Sequence, residues 1–472
     1  MSVRRPYGNP KGRWRGSFGL AALIAIYIFV NALIWIAAEP GVRLAKAADG
    51  QSWYHPAIAL MKHGGFVLLD DPQRADTYRP PLYPLFEAAA MTVAGGESPE
   101  AIAIAQIILL LLCGLLFRDT VRDWLPGWEN LGFTLLVLNP NVLSSAQFVQ
   151  SEILFLAFVT LAFWAAARYA RGRGGWGVVL VTGLGVALAC LTRPTAQFLL
   201  FTLPLLFPLL AIAGAAAGVR RAFVQGLSTL LLALAVISPW AWFVASEGHA
   251  LALSANEGKY RYVWDQVTMI EALSNDISYH EADKRLTSPG GKEHAFIESQ
   301  GEAWKSLSAT ERHKALADAG MNVLLSYPVS DFAKTLYRSQ AQFYFAGGAG
   351  NWHNLFGTGS ESVSQAWFSS AQADVWALLK RLFADVPPSG LVLSAIALGF
   401  AVTARLIGLI GVFALMRDMR WGLLLIISGI VLYFAFIHVF VGNSRYRVSV
   451  EPMLMFLVLA GLDQITRIFG RR

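Results

Sequence analysis

Charge is scarce in this chain. Asp, Glu, Lys and Arg make up only 15% of its 472 residues, where an ordinary soluble domain carries about 25%. Cysteine is almost missing: Cys113 and Cys190 are the two present. Both lie in apolar runs, so no disulfide is expected, and they report no redox compartment. There is no His/Cys cluster with zinc spacing, no Ser nucleophile elbow and no phosphate-cradling Gly loop, which removes those three classes of site. No short-period repeat is visible, and no low-complexity tract beyond the Ala/Gly run at 211–218.

Apolar sequence fills the space. The chain is 55% hydrophobic with a mean hydropathy of +0.49, and runs near the ~20 residues that cross a bilayer recur along it. It reads as an all-α polytopic membrane protein with about ten spans, at 18–38, 101–117, 131–143, 152–167, 176–191, 195–213, 223–244, 391–416, 421–441 and 448–465. The stretch 82–94 is too short to cross and reads as an amphipathic or re-entrant helix at the outer face. The net charge of +7 therefore serves topology and lipid headgroups, and no nucleic-acid partner is expected.

The positive-inside rule orients the spans. Arg4, Arg5, Lys11, Arg13 and Arg15 precede the first span, placing it N-terminus-in. That apolar run is too long for a cleaved signal peptide and shows no clear small-residue cleavage site, so a retained span is expected. Basic clusters then fall on the inner loops: Arg118 and Arg122; Arg168, Arg171 and Arg173; Arg220 and Arg221; Arg417 and Arg420; Arg467, Arg471 and Arg472. Four parts follow: a cytoplasmic N-terminus (1–17), a first membrane module of about seven spans (18–245) with an outer loop at 39–100, a mixed extracytoplasmic domain (246–388) with helical stretches such as 302–325, and a second module of about three spans (389–472).

This topology brings four polar elements to one face. The outer loop holds Asp49, Trp53, Tyr54, His55, Asp70, Asp71, Asp76, Arg79 and Tyr83, the last inside the run Arg79-Pro80-Pro81-Leu82-Tyr83-Pro84. The others are Gln150-Ser151-Glu152, Thr192-Arg193-Pro194 and Gly442-Asn443-Ser444-Arg445-Tyr446-Arg447. Carboxylates and arginines converging at a membrane boundary suggest a site. Asp49 is the candidate general base toward a hydroxyl or amine; the competing reading is a helix cap before Trp53. Glu152 is either an acid facing the dipole of its own helix or an orienter of the acceptor, and with Asp49 it is the pair a divalent cation would use. Arg193, Arg445 and Arg447 suit a phosphate, against snorkelling to headgroups. Trp53 and Tyr446 could stack on a sugar or belong to an interfacial belt. Asp70 and Asp71 read as turn residues before Pro72. Arg405 falls near mid-span and needs a partner from another helix or a lipid phosphate. Asp463 reads as structural, and His438 as a satisfied core histidine.

In order and spacing these residues resemble the GT-C glycosyltransferases, in particular the bacterial group that includes aminoarabinose lipid A transferases and protein O-mannosyltransferases. The resemblance rests on Asp49, Trp53, Ala57, Gly64, the Arg79–Pro84 run, Ser151-Glu152, Arg193-Pro194, Arg445-Tyr446-Arg447 and Pro452. Gly50 stands where many relatives carry a second acid. The resemblance implies a polyprenyl-phosphate-linked sugar donor in the membrane lipid and an acceptor outside the bacterial cytoplasmic membrane. Arg193, Arg445 and Arg405 would then hold the phosphate, and Asp49 would take the acceptor's proton. A rival reading is a transporter or lipid flippase, which predicts broken polar helices in repeated halves. Others are an oligosaccharide ligase with a diphosphate-linked donor and a non-catalytic scaffold.

Overall fold

The computed structural model describes residues 19–47, 49–214, 218–255, 258–275, 277–358 and 387–470. The basic N-terminal cluster at 4–15, residues 359–386 of the expected outer domain, and Arg471 and Arg472 lie outside the described residues. Those described are helical, with one isolated antiparallel bridge, Val67 to Ala75.

In chain order the helices are α1 (Leu20–Ala37), α2 (Val42–Ala45), α3 (Gly50–His63), α4 (Leu82–Ala94), α5 (Pro99–Trp124), α6 (Glu129–Val137), α7 (Pro140–Ser145), α8 (Glu152–Ala170), α9 (Trp176–Thr192), α10 (Leu203–Ile212) and α11 (Val219–Ser246). A 3-10 turn, Pro194–Thr202, leads into α10. There follow α12 (Gly258–Asn275), α13 (Tyr279–Thr287), α14 (Lys292–Ser299), α15 (Gly301–Ser306), α16 (Ala309–Ser326), α17 (Val329–Phe345) and α18 (Ala349–Phe356). The chain closes with α19 (Pro388–Arg417), α20 (Trp421–Ile437), α21 (Ser444–Arg447) and α22 (Glu451–Phe469). Among the described residues seven helical stretches are long and apolar enough to cross a membrane: Leu20–Ala37, Pro99–Trp124, Glu152–Ala170, Pro194–Ile212, Val219–Ser246, Pro388–Arg417 and Ser444–Phe469. Leu82–Ala94, Trp176–Thr192 and Trp421–Ile437 are apolar but shorter.

The span expected at 131–143 is instead α6 and α7, broken at Asn139-Pro140. Pro140 has no N–H to continue the helix, and the Asn139 side chain starts a new one by accepting from Asn141 N at 3.0 Å and Val142 N at 3.5 Å. The non-helical backbone after α7 is buried, so its polar groups need protein partners. Gln106 Nε2 donates to Phe148 O at 2.6 Å, and Val149 N donates to Arg43 O at 3.0 Å. Arg43 Nη1 also reaches Gln147 Oε1 at 2.8 Å, and Gln147 in turn donates to Asn31 on α1 at 2.9 Å. This bracing fixes the start of α8.

The helical stretch expected at 302–325 is also two helices. A capping box between Ser308 and Glu311 stops α15 and starts α16. Within the membrane part, α19 and α22 cross closely: a Cβ at Gly411 would collide with the Leu457 carbonyl, and one at Gly461 with that of Ile407. Small residues at such a crossing let two backbones touch.

The bundle has two polar ends. At one end Arg168 of α8 pairs with Asp119 of α5 at 2.9 Å, and Arg467 of α22 pairs with Asp463 at 2.5 Å and Asp418 at 3.2 Å. Trp128 Nε1 donates to Asp463 at 3.0 Å, so that acid serves packing. Glu152, at the opposite end of α8, lies in a separate group.

Candidate functional site

Asp49 takes a left-handed backbone conformation, φ 60° and ψ 6°, in front of α3, one that few non-glycine residues adopt. It occupies the N-cap position, yet its side chain accepts no helix N–H. The carboxylate turns outward: Oδ2 accepts from Arg445 Nη1 at 3.1 Å, and Oδ1 lies 3.9 Å from Arg79 Nη2. Ser52 steadies the pair, donating to the Asp49 carbonyl at 2.7 Å and accepting from Arg79 Nη2 at 2.7 Å.

Arg445 faces a second acid as well, its Nε donating to Glu152 Oε1. Arg193 Nη1 reaches the same oxygen at 2.6 Å. Arg193 is placed there by its own sequence. Preceding Pro194, it is disfavoured in the helical conformation; α9 ends and Arg193 extends at φ −145°. Glu152 is 2% exposed, and its Oε2 has no hydrogen-bond partner. The carboxylate is thus held by two guanidiniums with one oxygen spare. A small pocket opens here, lined by Glu152, Arg193, Arg445, Tyr446, His438 and Ser449 among others.

The other expected residues fall at increasing remove. Arg79 lies over the Trp53 ring, its Cζ 4.5 Å from the centroid, and burial lowers its pKa from the ordinary guanidinium value. Trp53 is 2% exposed and packs edge-on against Tyr83 at 5.4 Å, whose hydroxyl donates to Gln106. These two therefore support Arg79 from beneath. Tyr54 is buried in a separate apolar cluster, and His55 is exposed. Tyr446 lines the pocket but stacks face to face on His438, centroids 3.9 Å apart. Asp76 Oδ1 accepts from Tyr78 N at 3.0 Å, closing the turn before Arg79, and burial raises its pKa.

Arg405 and Arg447 belong to a different group. Both reach Glu451 Oε1, Arg405 Nη2 at 2.8 Å and Arg447 Nε at 2.6 Å. Asn139 Nδ2 donates to the other oxygen at 3.1 Å. Arg447 also donates to the carbonyls of Phe343 and Ala346, and Arg405 to that of Tyr344. This buried cluster joins α17, α19 and α22 to the break between α6 and α7. Sequence reasoning did not single out Ser52, Ser449, Gln106 or Glu451. Glu451 carried a usable signal: it lies four residues after Arg447 at the start of a span.

Among the described residues no three His, Cys, Asp or Glu side chains group as a metal site. Between Asp49 and Glu152 the bridging position is taken by the Arg445 guanidinium. A cation joining the two acids would have to displace it.

A family model matches about a third of this all-helical chain, in its N-terminal part. The match covers residues 78–243, and its model is that of the dolichyl-phosphate-mannose-protein mannosyltransferases. It includes Arg79, Glu152 and Arg193, while Asp49 and Arg445 lie outside it. No curated protein matches the chain in sequence. Among solved structures, the archaeal oligosaccharyltransferase AglB from Archaeoglobus fulgidus, in complex with an inhibitory peptide and a dolichol-phosphate, is similar at 12% identity and a TM-score of 0.49. The comparison covers 96% of this chain and 51% of AglB, so the chain spans about half that protein's length. ArnT from Cupriavidus metallidurans is similar in the apo state (12% identity, TM-score 0.38, 95% of this chain and 78% of that one). The same protein bound to undecaprenyl phosphate gives 12% identity and a TM-score of 0.40, over 95% and 79%.

Proposed function

We propose that the chain moves a sugar from a polyprenyl-phosphate donor to an acceptor at the outer face of a bacterial cytoplasmic membrane. The observation that carries this reading is the Arg445 guanidinium lying between Asp49 and Glu152 with Arg193 beside it. Three guanidiniums, those of Arg79, Arg193 and Arg445, face two carboxylates. The site holds one spare positive charge, suited to an anion that grows more negative during reaction.

That is the demand of this transfer. The acceptor oxygen or nitrogen attacks the anomeric carbon, and the bond from that carbon to the phosphate oxygen breaks. The electron pair leaves with the phosphate, which gains a negative charge, and Arg193 and Arg445 stabilise it. Asp49 takes the acceptor's proton. Glu152, buried and ion-paired, acts by holding the two arginines in register. Attack opposite the phosphate inverts the anomeric centre. The donor's lipid tail lies in the bilayer against the apolar helices, and the segment 246–388 provides the extracytoplasmic domain between the two membrane modules.

The test is transfer from labelled polyprenyl-phosphate sugars in membranes, comparing wild type with Asp49→Asn at matched expression. A general base contributes about 10²- to 10⁴-fold, so the variant should fall by at least ~100-fold. Full activity in Asp49→Asn removes the base assignment. Absence of transfer from wild type across a panel of donor sugars removes the function.

A further inference from the structure

The segment after α11 covers the site. Ala255 N donates to Thr77 O at 2.8 Å, and Ser254 Oγ to Tyr78 O at 2.6 Å. These bonds tie the entry to α12 to the strand of chain that carries Arg79. On α12 the Gln266 side chain accepts from Phe440 N at 3.2 Å, just before the loop that carries Arg445. α12 and its entry are therefore tied to both the Arg79 segment and the segment that leads to Arg445. Its other face is packed away: Trp264 Nε1 donates to Leu316 O of α16 at 2.8 Å, and Val267 is buried.

Between these anchors lies Asp265. Its Oδ1 accepts from the Tyr279 hydroxyl at 2.8 Å, which fixes the carboxylate. Asp265 is within electrostatic range of Asp49, Arg261 and Tyr446, and Tyr279 is within range of Tyr446. Arg261 in turn lies within range of Tyr78. The site thus has two unlike walls. Arg193 and Arg445 form a cationic wall around the buried Glu152, whose free oxygen marks an unfilled polar position. On the side of α12 and α13 stand the Asp265 carboxylate, the Tyr279 hydroxyl that orients it, and the Arg261 guanidinium. A ligand that donates hydrogen bonds finds an oriented acceptor there in the Asp265 carboxylate.

We propose that Asp265, oriented by Tyr279, is an acceptor-specificity residue, accepting a hydrogen bond from the hydroxyl- or amine-bearing acceptor while the donor phosphate occupies the arginine wall. The assignment rests on the transferase reading above and adds to it the part of the site that selects what is glycosylated. Burial raises the Asp265 carboxyl above its ordinary range, consistent with a group that lacks full solvation until the acceptor arrives.

The experiment uses the full chain in detergent with a labelled polyprenyl-phosphate sugar and three readouts. They are binding of polyprenyl phosphate, slow hydrolysis of the donor by water, and transfer to acceptor supplied as a titrated detergent extract of host membranes. A hydrogen bond to a charged group is worth roughly 10- to 100-fold. Asp265→Asn should therefore raise the half-saturating amount of extract by about 10-fold or more, with polyprenyl-phosphate binding and donor hydrolysis unchanged. Asp265→Glu should recover part of the loss, and Tyr279→Phe should show a smaller shift in the same parameter. An unchanged half-saturation in Asp265→Asn overturns the proposal while leaving the transferase reading in place. A parallel loss of lipid binding, hydrolysis and transfer, with Glu no better than Asn, makes Asp265 structural and also overturns it. A wild type that neither binds polyprenyl phosphate nor consumes donor overturns the transferase reading, and this proposal with it.

Discussion

At the scale of single residues, Arg445 is the position on which the site turns. Among the described residues it is the one guanidinium paired with both Asp49 and Glu152, a task that needs a planar fork with donors on two edges. Lysine keeps the charge but offers a single point. Arg445→Lys is therefore expected to lower transfer by about 100-fold or more, the loss typical when one preorganised donor to a developing anion is removed. Arg193 pairs with Glu152 without bridging to Asp49, so Arg193→Lys should lose less. Initial rates at saturating donor would separate the two, and equal losses would contradict the bridging role. These residues were legible before folding because each sits at a motif visible in the chain: an acid after a span, an acid opening a span, an arginine before proline, and an arginine in a closing Arg-Tyr-Arg. Arg405 was legible only as a charge near mid-span, and Arg447 only as the second arginine of that closing motif, read there as a phosphate ligand. Their shared partner Glu451 meets Arg405 through the packing of α19 on α22, a contact that sequence spacing does not encode. Asp265 escaped notice for the same reason, since a polar segment offers many acids and only the docking of α12 selects one.

Among elements, the break between α6 and α7 shows what hydropathy misses inside a run it reads as one continuous helix. The run at 131–143 is apolar enough to suggest a helix, but hydropathy counts side chains and not backbone hydrogen bonds. Asn139-Pro140 interrupts those bonds, and Asn139 then does two jobs. It caps α7 and donates to Glu451 Oε2. Asn139→Ala removes the cap, about 1 kcal/mol, and leaves a buried carboxylate oxygen without its donor, a further ~1–3 kcal/mol. Thermal unfolding of the detergent-solubilised protein should show a loss of roughly 2–4 kcal/mol. Asn139→Asp, which keeps the cap but places an acid beside Glu451, should destabilise at least as much at neutral pH. If Asn139→Ala were as stable as wild type, the link between the broken helix and the Arg405–Glu451–Arg447 cluster would carry no energy.

For the molecule as a whole, the orientation of the site can be argued from one helix without settling how many of the shorter ones cross. α11 runs 28 residues, Val219–Ser246, or about 42 Å at 1.5 Å per residue. That exceeds the ~30 Å hydrocarbon core, and the helix satisfies the apolar criterion for a span, so its two ends emerge on opposite sides. Arg220 and Arg221 mark the first end, which the positive-inside rule assigns to the cytoplasm. The second end leads through Ser254 and Ala255 directly to Tyr78 and Thr77 beside Arg79. The Asp49–Arg445 site is therefore expected on the side of α12 to α18, away from Arg220. Two variants that each add one cysteine at an exposed position test this, Arg220→Cys and Lys305→Cys, the native Cys113 and Cys190 being buried. A membrane-impermeant maleimide applied to intact spheroplasts should label position 305, and should reach position 220 only after permeabilisation. The reverse pattern would put the site on the cytoplasmic face, and a transferase there would draw its acceptor from inside the cell.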